Sequence, residues 1–487
     1  MVDPKIKLSL TQLLTKVFLE NFQPQQLVVE HSYRDGYFCH EASWDEFSPE
    51  DIQLLEQGMR EWLAGPENIT LGTRTRDQVL QYMLLRSSVS KSANTRKWPS
   101  NVIPVIQFGN SYWDYLMEEA ELDKAKLHNF RLEKFNDGFL IRFFPDKETT
   151  LNRKPLHAGS RLFQIIAEIE QMGDVLNLAT IHDVNTLVTT DEIRHILWVA
   201  EGFHEKRISQ IADHIVKDFP AKRVISIAGP SSSGKTTFAK RLGIQLRVNG
   251  FKTLPISMDD FFIDREQIAN GPNGDKDFET IDAMNIELLA QRLQTLLGGG
   301  SIPRRSYDFK TGVGNDLTGT INLGEWDLIV LEGIHGLNPK LTEAMGHAGL
   351  HHIYVSAITQ LNIDSNHRFS TSDNRLLRRM VRDHLFRGYS PEDTLARWES
   401  VRHGEERNIF PFQEEADFMF NSSLLYELSV LAKFALPLLK NIPNTSPVKT
   451  EANRLELLLS LVEPMDENLV PGVSILREFI GKSDFQY

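Results

Sequence analysis

Apolar residues recur every three or four positions through Leu8–Phe22, Ser48–Leu63, Leu162–Ile169 and Ile193–Ile215, and each stretch predicts a helix with one buried face. Val28-Val29 predicts a strand between the first two, whereas the polar, basic stretch Ser87–Lys97 predicts a loop. From Ala221 to about Pro443 the pattern changes. Short β-branched runs at 223–228, 253–257, 327–331, 351–356 and 416–420 alternate with helical spacing, which predicts an α/β fold with a doubly wound parallel sheet. Four regions follow: an α+β domain over 1–148, a helical connector over 149–220, the parallel-sheet domain over 221–443, and a tail over 444–487 that opens with a Pro- and Ser-containing linker. No internal repeat or low-complexity tract interrupts them.

Length agrees with this division, since 487 residues exceed one ordinary core and suggest two or three domains. A hydrophobic fraction of 41% with 24% charged residues is that of a soluble globular chain, and no apolar run approaches the ~20 residues of a membrane span. The opening Met1–Lys7 lacks the apolar core of a secretory signal, so a cytoplasmic location with no membrane partner is expected. The single cysteine, Cys39, can form no intrachain disulfide and reads as a half-buried free thiol. Net charge is −13, from 53 basic and 66 acidic residues, which disfavours generic binding to nucleic acid.

One segment carries specific chemistry. Gly229-Pro-Ser-Ser-Ser-Gly234-Lys235-Thr236 fits G-x-x-x-x-G-K-[ST] and lies between the predicted strand 223–228 and a helical pattern over 236–246. Glycines there let successive backbone N–H groups converge on an anion at the positive end of a helix. Lys235 would reach the β/γ-phosphates of a nucleotide, and the Thr236 hydroxyl would hold Mg²⁺. Strand 253–257 runs into Asp259 and Asp260, and strand 327–331 ends at Glu332. Acids at the carboxyl ends of parallel strands lie on the binding edge of such a sheet. Asp259 can take the proton of an attacking hydroxyl, with a helix N-cap as its ordinary alternative, and Glu332 can hold the Mg²⁺ shell. Arg375, Arg378, Arg379 and Arg382 share one helical face, which reads as a phosphate-facing lid that closes at Arg387-Gly388. His204, His335, His351 and His352 lack metal-like spacing and read as structural, with His335 nearest the catalytic edge.

In order along the chain, Gly229–Thr237, Ser257-Met-Asp-Asp-Phe-Phe262, Tyr307-Asp-Phe309, Leu331-Glu-Gly333 and Asp373–Arg379 resemble the uridine kinase and phosphoribulokinase branch of P-loop kinases. The resemblance covers Ala221 to about Pro443 and implies an ATP- and Mg²⁺-dependent phosphotransferase acting on a small-molecule acceptor. It implies a nucleotide site at Gly229, Ser231, Ser232, Ser233, Gly234, Lys235, Thr236 and Thr237, joined by Arg379 and Arg382. It assigns catalysis to Asp259, Lys235 and Arg378, and an acceptor site to Asp259, Phe262, Phe278, Glu279, Tyr307, Arg375 and Arg378. Two departures stand out. Uridine kinases place a histidine shortly after Tyr-Asp-Phe, where this chain has Lys310-Thr-Gly-Val-Gly314, and Glu279 replaces an aspartate.

The first region more weakly resembles the second additional domain of threonyl-tRNA synthetases, through Val29–Phe38, Phe47–Leu55 and Leu127–Leu132. The metal-binding H-x-x-x-H and C-x-x-x-H pairs of that domain fall on Leu8, Gln12, Leu116 and Ala120, so the site is expected to be erased and the domain kept as a scaffold. Three readings stay open: a nucleoside 5′-kinase, a kinase for a sugar phosphate or pantothenate-like alcohol, and a nucleotide-dependent RNA-binding or regulatory protein. The oligomeric state, with a homo-oligomer among the options, is also open.

Overall fold

Four of the five β-branched runs pair where their periodicity places them. The computed structural model describes residues 2–33, 35–41, 46–146, 161–271, 276–346 and 349–486, and the chain divides into two compact units.

The first unit comprises Met1–Ile193, Thr359–Ser370 and Leu428–Met465. Helix α1 (Pro4–Phe22) is followed by β1 (Leu27–Tyr33), β2 (Gly36–Glu41), α2 (Pro49–Ala64), β3 (Ile69–Thr75), α3 (Arg76–Leu85) and α4 (Val89–Lys97). Strands β4 (Val102–Phe108), β5 (Tyr112–Tyr115), β6 (Phe130–Phe135) and β7 (Gly138–Phe143) precede helices α5 (Arg161–Leu176) and α6 (Ile181–Val188). The strands form two antiparallel sheets, ordered β1-β2-β7-β6 and β3-β4-β5. The amphipathic faces of α1 and α2 bury Leu10, Leu14, Phe18, Leu55 and Met59 against Val29, Phe139 and Ile141. Cys39 is fully buried in this core.

Ser87–Lys97 corrects the sequence reading, because most of it is helix α4. Its buried residues are polar, so no apolar stripe announces them. Lys91 pairs with Asp114, and Asn94 donates to the Tyr115 hydroxyl (3.3 Å) and the Ile363 carbonyl (3.0 Å). Tertiary partners, rather than periodicity, stabilise this helix.

The second unit comprises Arg194–Ile358, Thr371–Glu427 and Asp466–Tyr487. Helix α7 (Glu192–Lys217) leads into it, followed by β8 (Lys222–Ala228), α8 (Lys235–Val248), β9 (Lys252–Ser257) and α9 (Ile286–Leu297). The antiparallel hairpin β10 (Ser301–Asp308) and β11 (Val313–Asn322) precedes β12 (Asp327–Glu332), α10 (Pro339–Met345), β13 (Gly349–Ser356), α11 (Thr371–Arg382), α12 (Pro391–Asn408) and β14 (Phe418–Asn421). The five-stranded sheet runs β14-β13-β8-β12-β9, with every neighbouring pair parallel. Leu328, Ile329, Val330 and Leu331 are all buried, as an interior parallel strand covered on both faces requires. The last strand starts at Phe418, two residues after the expected 416.

The boundaries expected near 220 and 443 are not those of the units, and the one at 148 lies outside the described residues. The connector divides between Ile193 and Arg194. Thr359–Ser370 belongs to the first unit although it lies inside the kinase-like sequence. The tail is no appendage: its last 22 residues pack in the second unit, where Ile475, Leu476 and Phe479 are fully buried. Among the described residues, no helix is long and apolar enough to cross a membrane.

Candidate active site

At the carboxyl edge of the parallel sheet, β8 ends in the glycine loop, β9 in Asp259 and β12 in Glu332. Parallel pairing brings these three strand ends together although they are spread from residue 228 to residue 332 of the sequence. Gly234 caps the N-terminus of α8 with φ of 83°, a left-handed conformation that favours glycine. A Cβ at Gly229 would collide with the Val355 carbonyl oxygen, so the loop passes a neighbouring strand more closely than any side chain allows. Ser232 and Ser233 are buried, and neither hydroxyl has a hydrogen-bond partner. Two orphaned donors inside a cradle closed to side chains fit an oxyanion.

Lys235 is buried and donates to the carbonyls of Gly229 (2.9 Å) and Pro230 (3.1 Å). Burial lowers its pKa, against the opposing charges of Glu332 and Asp259. Thr236 donates to both oxygens of Glu332 (3.0 and 3.1 Å), a hydroxyl and a carboxylate face to face, as a magnesium shell needs. Burial raises the Glu332 pKa, with Lys235 pulling the other way. Asp259 remains open to water but is crowded by protein, and this desolvation raises its carboxyl while Lys235 lowers it. A carboxyl so placed can accept a proton from a hydroxyl in the cleft. Thr237 is bound through its N–H and hydroxyl to Glu478, so it faces the C-terminal segment and not the cradle.

Beside this edge Phe262, Phe278, Tyr307 and Phe309 form an aromatic cluster with ring centroids 5.0–6.2 Å apart. The Tyr307 hydroxyl is buried within it and has no partner. Glu279 is half-buried, and burial and the Glu405 charge push its carboxyl up to about 7, against Arg379. His335 is buried and held at about 4 by desolvation, hence neutral.

Only part of the arginine stripe is placed as a phosphate-facing lid would be, because two of its four members are buried away from the cleft. Arg375 and Arg378 are 1% and 0% exposed. Arg375 pairs with Glu405 and donates to the Ser231 carbonyl (2.9 Å), while Glu405 accepts the Ser231 N–H (2.9 Å). Arg378 donates to Glu427 (2.5 Å) and to the Ser422 hydroxyl and carbonyl (3.0 and 2.9 Å), and Ser422 donates to the Ser233 carbonyl (2.5 Å). These two arginines brace the glycine loop from behind. Arg379 reaches the Ser231 hydroxyl (3.0 Å), and Arg382 pairs with Asp383; both keep partial exposure. Asp383–Arg387 forms one wider turn that ends at Gly388, with φ of 71°.

Sequence reasoning missed Glu405, Ser422, Glu427 and Glu478. Glu405 and Ser422 sit in unremarkable polar contexts, and only the arginines opposite them give them a role; Glu427 had a signal, as a lone acid in the apolar run Leu424-Leu-Tyr-Glu-Leu428. Glu478 had a usable signal: it lies inside Ile475-Leu-Arg-Glu-Phe-Ile480, too apolar for a free tail.

A parallel sheet with a glycine cradle, a buried lysine and two edge acids is the arrangement of a P-loop nucleotide-binding fold. Residues 224–425 match the Phosphoribulokinase / Uridine kinase family, and the parallel sheet of the second unit has a P-loop kinase fold. The chain is 27% identical over 200 residues to the uridine kinase of Staphylococcus aureus (strain JH9), covering 41% of this chain and 87% of that one. Among solved structures, a possible uridine kinase from Bacillus stearothermophilus is similar (TM-score 0.30, 20% identity, 44% of this chain and 98% of that one). So is a putative fructose transport system kinase from Silicibacter sp. TM1040 (TM-score 0.31, 14% identity, 44% and 98%).

Proposed function

We propose that the second unit transfers the γ-phosphoryl group of ATP to the hydroxyl of a nucleoside-like acceptor. The observation that carries this reading is the juxtaposition of the cradle, with its two unpartnered serine hydroxyls, and an aromatic cluster holding an unpartnered phenol. The first suits a polyphosphate; the second suits a flat ring with a polar edge.

Backbone N–H groups of the loop and the Lys235 ammonium hold and orient the β/γ-phosphates. A bound Mg²⁺ supplies charge neutralisation there, and Thr236 and Glu332 are the residues that would hold it. Asp259 accepts the proton of the acceptor hydroxyl, which its raised pKa favours. Arg379, with a guanidinium N–H on the Ser231 hydroxyl, is the arginine best placed for a phosphate, whereas Arg375 and Arg378 act as positioning residues behind the loop. Glu279 and the aromatic cluster orient the acceptor. Catalysis then consists of positioning and charge stabilisation.

A sugar phosphate fits less well. Of Arg304, Arg305 and Lys310, the basic residues that would suit a phosphorylated acceptor, Arg305 is committed to the Asp260 carbonyl (2.9 Å) and to Asp316 (3.3 Å). The first unit is read as a retained synthetase-like scaffold whose former ligand position, Gln12, now accepts from the Tyr112 hydroxyl (2.8 Å). Coupled ADP release across nucleosides, sugar phosphates and pantothenate tests the proposal. Nucleosides should give the highest kcat/KM, and Lys235→Ala should abolish it; a sugar phosphate ahead of every nucleoside would refute the acceptor assignment.

A further inference from the structure

Strand β1 carries a one-residue bulge: Val29 pairs with Cys39, but the next pair is Ser32 with Tyr37, so three steps on one strand oppose two on the other. A bulge lets two successive side chains share a face and inverts the alternation beyond it. Packing shows the inversion. Val29 and Cys39 lie in the α1 core, whereas Tyr33 packs on the opposite face with Phe38, Phe135 and Leu140, beneath Leu162 and Phe163 of α5. Glu30 and His31 therefore both face α5, together with His40, which stacks on Phe38. Glu170 is two helical turns beyond Phe163 on the same helix, and so reaches the same place.

The polar atoms that meet there are incompletely paired. His31 Nε2 lies 3.9 Å from Glu30 Oε2 and 3.9 Å from Glu170 Oε1. Both carboxylate oxygens are inaccessible to solvent and no neighbouring N–H or hydroxyl reaches them; burial and the Glu30 charge push the Glu170 carboxyl up to about 10, so in the metal-free protein Glu170 keeps a proton to share with Glu30. The other Glu30 oxygen lies 3.1 Å from His40 Nε2. Two carboxylates facing one another without a donor must share either a proton or a cation. The three ligand atoms lie within 4.8 Å of one another. With two separations of 3.9 Å and a third of no more than 4.8 Å, the point equidistant from the three atoms is at most about 2.5 Å from each, within a few tenths of an ångström of Zn²⁺ bonding distances.

We propose that Glu30, His31 and Glu170 form a divalent transition-metal site of the zinc class, with His40 orienting Glu30 as a second-sphere partner. An imidazole with two carboxylates favours zinc-class ions over Mg²⁺, which prefers oxygen and water ligands. The ion would pin α5 to the bulged edge of the β1-β2-β7-β6 sheet. None of these residues is among Leu8, Gln12, Leu116 and Ala120, so this site differs from the one expected to be erased.

The test is equilibrium dialysis of the full chain, stripped with chelator, against Zn²⁺, Co²⁺ and Mg²⁺, with metal counted by elemental analysis. Wild type should retain one equivalent of Zn²⁺ but no Mg²⁺ at this site, and Co²⁺ should give visible bands with nitrogen–oxygen ligation. Glu170→Gln and His31→Asn should each weaken Zn²⁺ at least ~100-fold, while the surface variant His384→Ala should not. Wild-type protein that is folded yet takes up no stoichiometric Zn²⁺ would overturn the proposal. So would uptake that survives both substitutions. If Glu170→Gln raises the melting temperature while wild type binds no metal, the two acids share a proton and the site is not a metal centre.

Discussion

Replacing Arg378 by methionine separates a bracing role from a catalytic one. Its guanidinium is fully buried, donates to Ser422 and Glu427, and lies over the Phe479 ring at 5.0 Å. Methionine approximates the side-chain volume but leaves the Glu427 carboxylate, 2% exposed, without its counter-charge. Breaking a buried pair from one side costs about 3–5 kcal/mol, because the surviving charge stays desolvated. In a domain of this size that lowers the melting temperature by about 6–20 °C. The Arg378→Met, Glu427→Gln double variant should recover at least about half of the loss, since no buried charge then remains. Arg378→Lys keeps the charge but not the fork, and should fall between. Differential scanning fluorimetry gives the melting temperatures, and coupled ADP release gives kcat and KM. If Arg378→Met melts within ~2 °C of wild type yet loses more than ~10²-fold in kcat at unchanged KM, the arginine acts on the transferring phosphate and the bracing argument fails.

Asp259→Asn should lower kcat by at least ~10²-fold with little change in ATP affinity, as loss of a general base does; an equal loss of ATP binding would make Asp259 a metal ligand. Glu279 predicts a pH dependence. Its folded-state pKa of about 7 exceeds the ordinary 4.5, so the folded protein holds the proton more tightly and stability falls as pH rises from about 4.5 through 7. The full effect is at most about 3 kcal/mol. Urea midpoints for Glu279→Gln against wild type should therefore diverge in favour of the variant above pH 6; parallel curves would mean an ordinary carboxyl. Specificity offers a fourth test: Thr311→His should raise kcat/KM for uridine relative to other nucleosides, and no change would mean that another residue reads the base. Gly312 is unsuitable for the same graft, because its φ is 77° and a Cβ would press on Arg265 at 2.6 Å.

The interior parallel strands β8 and β12 were legible because apolar, β-branched runs buried on both faces need no partner to announce themselves. The glycine loop was legible because its constraint is backbone geometry, written locally as glycine, lysine and threonine. Asp259 and Glu332 could be placed from strand ends alone, since parallel pairing brings all carboxyl ends to one edge. Helix α4 was not legible, because its buried face is polar and acquires partners only from distant residues such as Asp114 and Ile363. The arginine stripe was seen, but its burial was not. Spacing shows which side chains share a face; it does not show that Glu405, Ser422 and Glu427 wait opposite. The β1 bulge is likewise invisible in Val29-Glu-His-Ser32, yet it is the bulge that turns Glu30 and His31 toward Glu170. Local pattern thus determined the elements, the cradle and the edge acids. Tertiary structure alone decided which charges are paired, which are left facing one another, and that residues 359–370 fold with the first unit while the last 22 fold with the second. Those outcomes depend on contacts between residues tens to hundreds of positions apart, and periodicity carries no information about them.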